Sequence, residues 1–130
     1  MRTLMSVSAK NVKKLHEKML HKRLYIIFSE TTEKTGDRKS IFHEHINYQL
    51  DLERKGILFA AGPFVDSKGK PQGPGMIVIR AKSAKTAKKI AEDDPFHKAG
   101  FRKYRIQAWE VNEGCLNIRV KFSDGCFELE

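Results

Sequence analysis

The stretch Asp37–Pro63, DRKSIFHEHINYQLDLERKGILFAAGP, decides how this chain folds. Read as a helix from Asp37 to Lys55, it places Ile41, His45, Tyr48 and Leu52 at i, i+4, i+7 and i+11, on one face. His43 falls instead with Asn47, Asp51 and Arg54 on a polar face. The triplet His43-Glu44-His45 therefore splits into one outward and one inward imidazole. Asp37 or Ser40 can cap the start of this helix, and Arg54-Lys55-Gly56 ends it with cations on the last turn and a glycine at C′. Ile57 to Ala61 follows as a strand. A strand, Leu24–Ser29 (LYIIFS), precedes the helix, nearly continuously apolar as a buried strand is. Between the two, Glu30–Arg38 is polar and contains Gly36, which makes a loop.

Downstream, Gly62–Gly75 (GPFVDSKGKPQGPG) is rich in glycine and proline and reads as a loop or a long hairpin connection. Its SKGK element lacks the helix and terminal Lys-Ser/Thr of a phosphate-binding loop, because a strand, Met76–Ala81, comes next. Ser83–Asp93 is a second amphipathic helix, with Ala84, Ala87, Ile90 and Ala91 inward and Lys82, Lys85, Lys88 and Lys89 outward. Pro95 disfavours helical backbone at Asp94, so the helix ends there. Asp94 then serves as N-cap of a short turn with Pro95 at N1 and Gly100 beyond its end. Arg102–Val111 is the next strand. The order βαββαβ predicts an α+β, ferredoxin-like fold: an antiparallel sheet with two helices on one face. The open face needs a cover, and a second copy supplies one at least cost, so a homodimer is expected.

Two extensions flank this core. Ser8–His21 is helix-like, with Val12, Leu15 and Met19 on one face and lysines elsewhere. Leu116, Ile118, Val120 and Phe122 alternate with Asn117, Arg119, Lys121 and Ser123, which predicts a half-buried strand leading through an Asp124-Gly125 turn into a short partner. The organisation read from sequence is thus a basic helical extension over residues 1–22, a ferredoxin-like domain over 23–111 and a hairpin extension over 112–130. Of the net charge of +9, residues 1–23 supply +6, from seven Lys or Arg against Glu17, and the other 107 residues only +3. The basicity belongs to the extension, so no specific nucleic-acid role is expected. No apolar run approaches the roughly 18 residues of a membrane span. Cys115 and Cys126 lie too far apart across such a hairpin to pair. Free thiols fit a reducing, cytoplasmic setting.

Chemistry concentrates at His45 and Asp94, which sit at the ends of different elements that a split βαβ brings to one face. An aspartate accepting from one imidazole nitrogen fixes the tautomer and raises the basicity of the other. Neither a His-Glu-x-x-His nor a Cys-x-x-Cys spacing occurs, and His16, His21 and His97 read as scattered surface groups, so no metal is expected.

His45 followed by Gly56, then Ala61-Gly62-Pro63, Gly75 before a strand, Asp94-Pro95-Phe96 and Gly100, resembles the YciI-like (YCII-related) proteins over roughly Arg23–Val111. That resemblance implies a dimeric ferredoxin-like fold related to muconolactone isomerase. It also implies a His and Asp active-site pair, here His45 and Asp94, and in one branch elimination of chloride from a chlorinated hydroxyhydroquinone. On this reading His45 transfers a proton to or from a small, hydroxylated cyclic or aromatic substrate without a cofactor. Gly62 and Pro63 let the strand end approach the ligand, and Phe96 supplies an apolar wall. The competing expectation is a non-catalytic small-ligand or interaction module that uses the basic arm.

Overall fold

The structure, a computed structural model, describes residues 8–130. They divide into two compact units, one formed by residues 23–110 and the other by the two ends, up to Lys22 and from Val111 on. The first unit carries strand β1 (Lys22–Thr31), helix α2 (Arg38–Arg54), strands β2 (Leu58–Val65) and β3 (Pro71–Ile79), helices α3 (Ala84–Asp93) and α4 (Pro95–Lys98), and strand β4 (Arg102–Val111). The second carries helix α1 (Ala9–Glu17) and the paired strands β5 (Ile118–Val120) and β6 (Phe127–Leu129).

The four strands of the first unit run in the order β2-β3-β1-β4, with β3 antiparallel to both β1 and β2. This is the ferredoxin-like arrangement. Each crossover leaves one strand's width between the strands it joins, and the common right-handedness of such connections puts both long helices on one face. That face is closed by Tyr25 and Ile27 of β1, Ile77 and Ile79 of β3, and Ala87 and Ala91 of α3, all buried. The two alanines, one turn apart, let α3 lie close against the sheet. Burying a side chain such as Ile79, which is fully inaccessible, contributes about 1.5–3 kcal/mol.

The stretch that opened the reading folds as its pattern dictates. Asp37 caps α2, its side chain accepting from the Ser40 amide at 3.2 Å. Ile41, His45 and Tyr48 are half-buried and Leu52 buried, whereas His43 is exposed. Gly56 follows the C-cap at φ +71, a backbone conformation open to glycine at little cost. The connection that reads as a loop is mostly strand. β2 continues through Pro63 to Val65 and β3 begins at Pro71, with a tight turn at Asp66–Lys70 closed by the Asp66 amide donating to the Lys70 carbonyl at 2.9 Å. Proline is tolerated here because β2 is an edge strand, its register shifts between Pro63 and Val65, and β1 pairs with β3 no further out than Gly75.

The C-terminal strands depart from the expectation. β5 is three residues long rather than a full strand from Leu116, and Leu116, Ile118, Val120, Phe122 and Phe127 are exposed, Phe122 completely. A two-stranded hairpin has no second layer of its own to bury an alternating face. In α1, Ser8 is the N-cap and no side chain is buried. The first seven residues of the basic extension lie outside the described residues. Cys115 and Cys126 are exposed free thiols. No helix among the described residues is long and apolar enough to cross a membrane.

Candidate functional site

A cleft of about 700 Å³ opens between α2 and the β2-β3 end of the sheet. Phe42, Ile46, Leu50 and Phe59 give it an apolar wall, and Gly62, Pro63 and Gly75 form part of its strand side. His45, Gln49, Ser29 and Arg102 are its polar groups. The small residues have a steric reason. A Cβ on Gly75 would stand 3.1 Å from the Gly62 carbonyl oxygen and 3.4 Å from the Pro63 Cα, so only glycine lets the two strands meet there undisturbed.

His45 and Asp94 come together. The Nδ1 of His45 lies 2.9 Å from each carboxylate oxygen of Asp94. α2 delivers the histidine from its inward face. Pro95 breaks the helical run so that Asp94 stands between α3 and α4, extended at φ −61 and ψ 125, and caps α4 by accepting from the Phe96 amide at 3.0 Å. Asp94 is only 1% exposed, while the His45 side chain keeps 19% of its surface open. A third donor completes the carboxylate's partners, the Gln49 Nε2 at 3.1 Å. Burial on its own works to raise the Asp94 pKa. The His45 bond, the fields of His45 and His97 and the Phe96 amide outweigh it, and the carboxyl is held below its ordinary value. Asp94 is therefore an ionised acceptor, and Nδ1 of His45 carries the proton that it accepts. The Nε2 of His45 has no hydrogen-bond partner among the described residues, and the ring lines the cleft.

Phe96 does not line the cleft. Its ring packs against that of His45, centroids 4.8 Å apart, and against Phe42 at 6.3 Å. It holds the imidazole, and the apolar wall expected of it is supplied by Phe42 and its neighbours on α2. Tyr48, on the same face of the helix, donates to the Ile90 carbonyl at 2.6 Å and ties α2 to α3. Burial, then the charges of Asp93, Asp94 and Asp51, push its hydroxyl up to about 12.

Four polar residues of the site lie outside the sequence reading. Gln49 is buried beside Asp94. His97, read as a surface group, is instead half-buried, its Nδ1 donating to the Ala91 carbonyl at 2.7 Å and its Nε2 2.8 Å from the Ser29 hydroxyl. Arg102 donates from Nε to the Ser29 hydroxyl at 2.8 Å, and from Nη2 to the carbonyls of Ser29 at 2.9 Å and Gly73 at 2.7 Å. Among the described residues, no group of three His, Cys, Asp or Glu side chains is placed to hold a metal ion.

The sequence profile of the YCII-related domain matches residues 23–110, more than half of the chain. The chain belongs to the YCII-related family. Among solved structures, this family member is similar to 5-chloro-2-hydroxyhydroquinone dehydrochlorinase from Burkholderia phenoliruptrix, in complex with 2,5-dihydroxybenzoquinone. The TM-score is 0.54 at 21% identity, over 66% of this chain and 92% of that one, which is a likeness of fold. No curated protein matches the chain in sequence.

Proposed function

We propose that the cleft is the active site of an enzyme that moves a proton on a small, hydroxylated cyclic or aromatic substrate, in an elimination or an isomerisation. One observation carries this reading. An imidazole lining an apolar cleft is backed on Nδ1 by a buried, ionised carboxylate and leaves Nε2 without a partner among the described residues. In that arrangement His45 Nε2 takes a proton from an acidic carbon or hydroxyl, or returns one. Asp94 stabilises the imidazolium that forms, and positioned acid-base transfer of this kind contributes about 10²–10⁴-fold in rate. Phe42, Ile46 and Phe59 present flat or branched apolar surface of the kind a ring stacks on. Gly62 and Pro63 keep the opposite side low. The step needs no cofactor. The fold-level neighbour acts on a chlorinated hydroxyhydroquinone and holds a dihydroxybenzoquinone, which agrees in substrate size and in the presence of ring hydroxyls.

The same reading takes residues 23–111 as the catalytic domain, with 1–22 and 112–130 as extensions, and covers the sheet face opposite the helices with a second copy. Binding of 2,5-dihydroxybenzoquinone to the full chain, followed by calorimetry, is the test. Saturable 1:1 binding that weakens at least about tenfold, or 1.4 kcal/mol, in Phe42→Ala supports it. Absence of binding by this ligand and by related hydroxyquinones, together with steeply salt-dependent binding of polyanions, would favour the interaction module with a basic arm.

A further inference from the structure

We propose that Ser29 and His97 form a second proton-handling pair of the cleft, which takes the proton of a substrate hydroxyl while Arg102 faces the oxyanion produced. This rests on reading the cleft as an active site. Ser29 lines the cleft near the end of β1 yet is buried, and its hydroxyl is fully directed. The Ala91 carbonyl accepts from His97 Nδ1 at 2.7 Å, so Nε2 is the bare nitrogen of the neutral ring. The Ser29 proton therefore points at Nε2, 2.8 Å away. One oxygen lone pair takes the Arg102 Nε–H. A hydroxyl has two, and the second remains to accept from a ligand. The result is an acceptor site on the cleft surface, backed by a base of fixed tautomer.

Arg102 gives the site its sign. Its Nε and Nη2 are held by Ser29 and Gly73, no carboxylate pairs with it among the described residues, and it too lines the cleft. A half-buried guanidinium without an anion of its own favours a negatively charged oxygen beside it. Burial first, then Arg102 and His45, keep His97 below its ordinary pKa against the opposing Ala91 carbonyl and Asp94. The ring is accordingly neutral at neutral pH, with its proton on Nδ1 and Nε2 as the acceptor. The groups facing it are Asp94 between α3 and α4, His45 on α2, Arg102 and Tyr104 on β4, the Tyr104 ring lying 4.7 Å away.

The step balances without an oxidant or a second reactant. The substrate hydroxyl donates to Ser29 Oγ, and as its O–H bond breaks the Ser29 proton passes to His97 Nε2. Ser29 ends as a neutral hydroxyl, His97 as an imidazolium, and the substrate as an oxyanion next to Arg102. The charge created on His97 is offset by the oxyanion and by Asp94. With His45 serving a carbon centre and Ser29–His97 an oxygen, the cleft holds two proton stations, as a keto–enol shift or an elimination from a hydroxylated ring requires. Ser29 is the residue that touches substrate, and His97 acts through it.

The test uses nitrocatechol, a diphenol whose anion absorbs in the visible, with the full chain labelled for imidazole nitrogen NMR. At a pH where the free probe is mostly neutral, the bound probe should absorb as its anion, with an anion-to-neutral ratio raised about tenfold or more, one pKa unit. His97 should gain a proton on Nε2 in step with it. Ser29→Ala should abolish the His97 response, and Ser29→Thr, which keeps a hydroxyl, should restore it. The wild-type spectrum alone decides the matter should Ser29→Ala not fold. A bound, ionised probe with His97 still protonated only on Nδ1 overturns the proposal. If His45 alone responds, the reading of the cleft as a His45 proton-transfer site stands and the second pair falls. If neither ring responds, or the probe does not bind, both fall.

Discussion

Replacing Asp94 separates the roles of charge and hydrogen bonding at the centre of the site. Three donors converge on this carboxylate, His45 Nδ1, Gln49 Nε2 and the Phe96 amide. Asp94→Ala removes the acceptor of all three at once. His45, 19% open, can turn to water, but Gln49 and the Phe96 amide are left without partners in a place that is 1% accessible. Each unpaired buried donor costs about 1–3 kcal/mol, so the loss should be roughly 2–6 kcal/mol. Asp94→Asn keeps the shape. Its carbonyl oxygen can serve His45 and Phe96, and its amide then faces Gln49, whose Oε1 is buried and has no partner among the described residues. A half-turn of the Gln49 amide supplies the acceptor, leaving only the difference between a charged and a neutral hydrogen bond, about 1 kcal/mol. Denaturant unfolding at pH 7 measures both. The sign with pH follows from the lowered carboxyl pKa. The wild-type advantage over Asp94→Asn is full above the unfolded value near pH ~3.9 and fades as the pH falls through the lower folded value. Equal losses in Asp94→Asn and Asp94→Ala, or a loss under about 0.5 kcal/mol in Asp94→Ala, would refute this account of how the carboxylate is held.

Other consequences follow from the same geometry. Burial lowers the His97 pKa, so the unfolded chain binds its proton first. Relative to His97→Gln, the wild-type protein should lose stability as the pH drops below about 6.5 and level off once the folded value is passed, visible in unfolding at stepped pH. Gly75→Ala forces its Cβ against the Gly62 carbonyl and should cost about 1–3 kcal/mol, with weakened ligand binding because both strands line the cleft. Phe42 is 51% exposed, so Phe42→Ala should change the unfolding midpoint little while weakening 2,5-dihydroxybenzoquinone binding in calorimetry.

Much of the architecture was legible because it is written in period. The 3.6-residue spacing of Ile41, His45, Tyr48 and Leu52 marks the buried face of α2, and Asp94-Pro95 marks the break that seats a buried carboxylate between two helices. Gln49 lies on the same helical face, one residue after Tyr48, and could have been found by widening the stripe. Ser29 and Arg102 could not. Ser29 stands two residues before the end of β1 and Arg102 begins β4, where a polar residue is ordinary, and their meeting depends on β1 and β4 being neighbours in the sheet. His97 misled for the reverse reason. A histidine in a four-residue turn has no periodicity, and only the fold seats it against Ala91 and Ser29. The prolines of β2 and β3 hid strand residues, since β2 is an edge strand and β3 has no β1 partner beyond Gly75, which removes the rule that excludes proline. In the C-terminal hairpin, alternation was read as burial, but alternation records only which side chains share a face, not whether anything covers it.

The proposed proton transfer by His45 on a hydroxylated ring is open to direct assay. It is tested most directly by incubating the full chain in deuterated buffer with a panel of hydroxylated and chlorinated hydroquinones and muconolactones, and following carbon-bound deuterium and released chloride in wild type and His45→Gln. Protein-dependent exchange or chloride release is expected with at least one member of the panel, reduced about 10²-fold or more in His45→Gln. Wild-type protein no faster than buffer across the panel, or a His45→Gln variant as active as wild type, would contradict it.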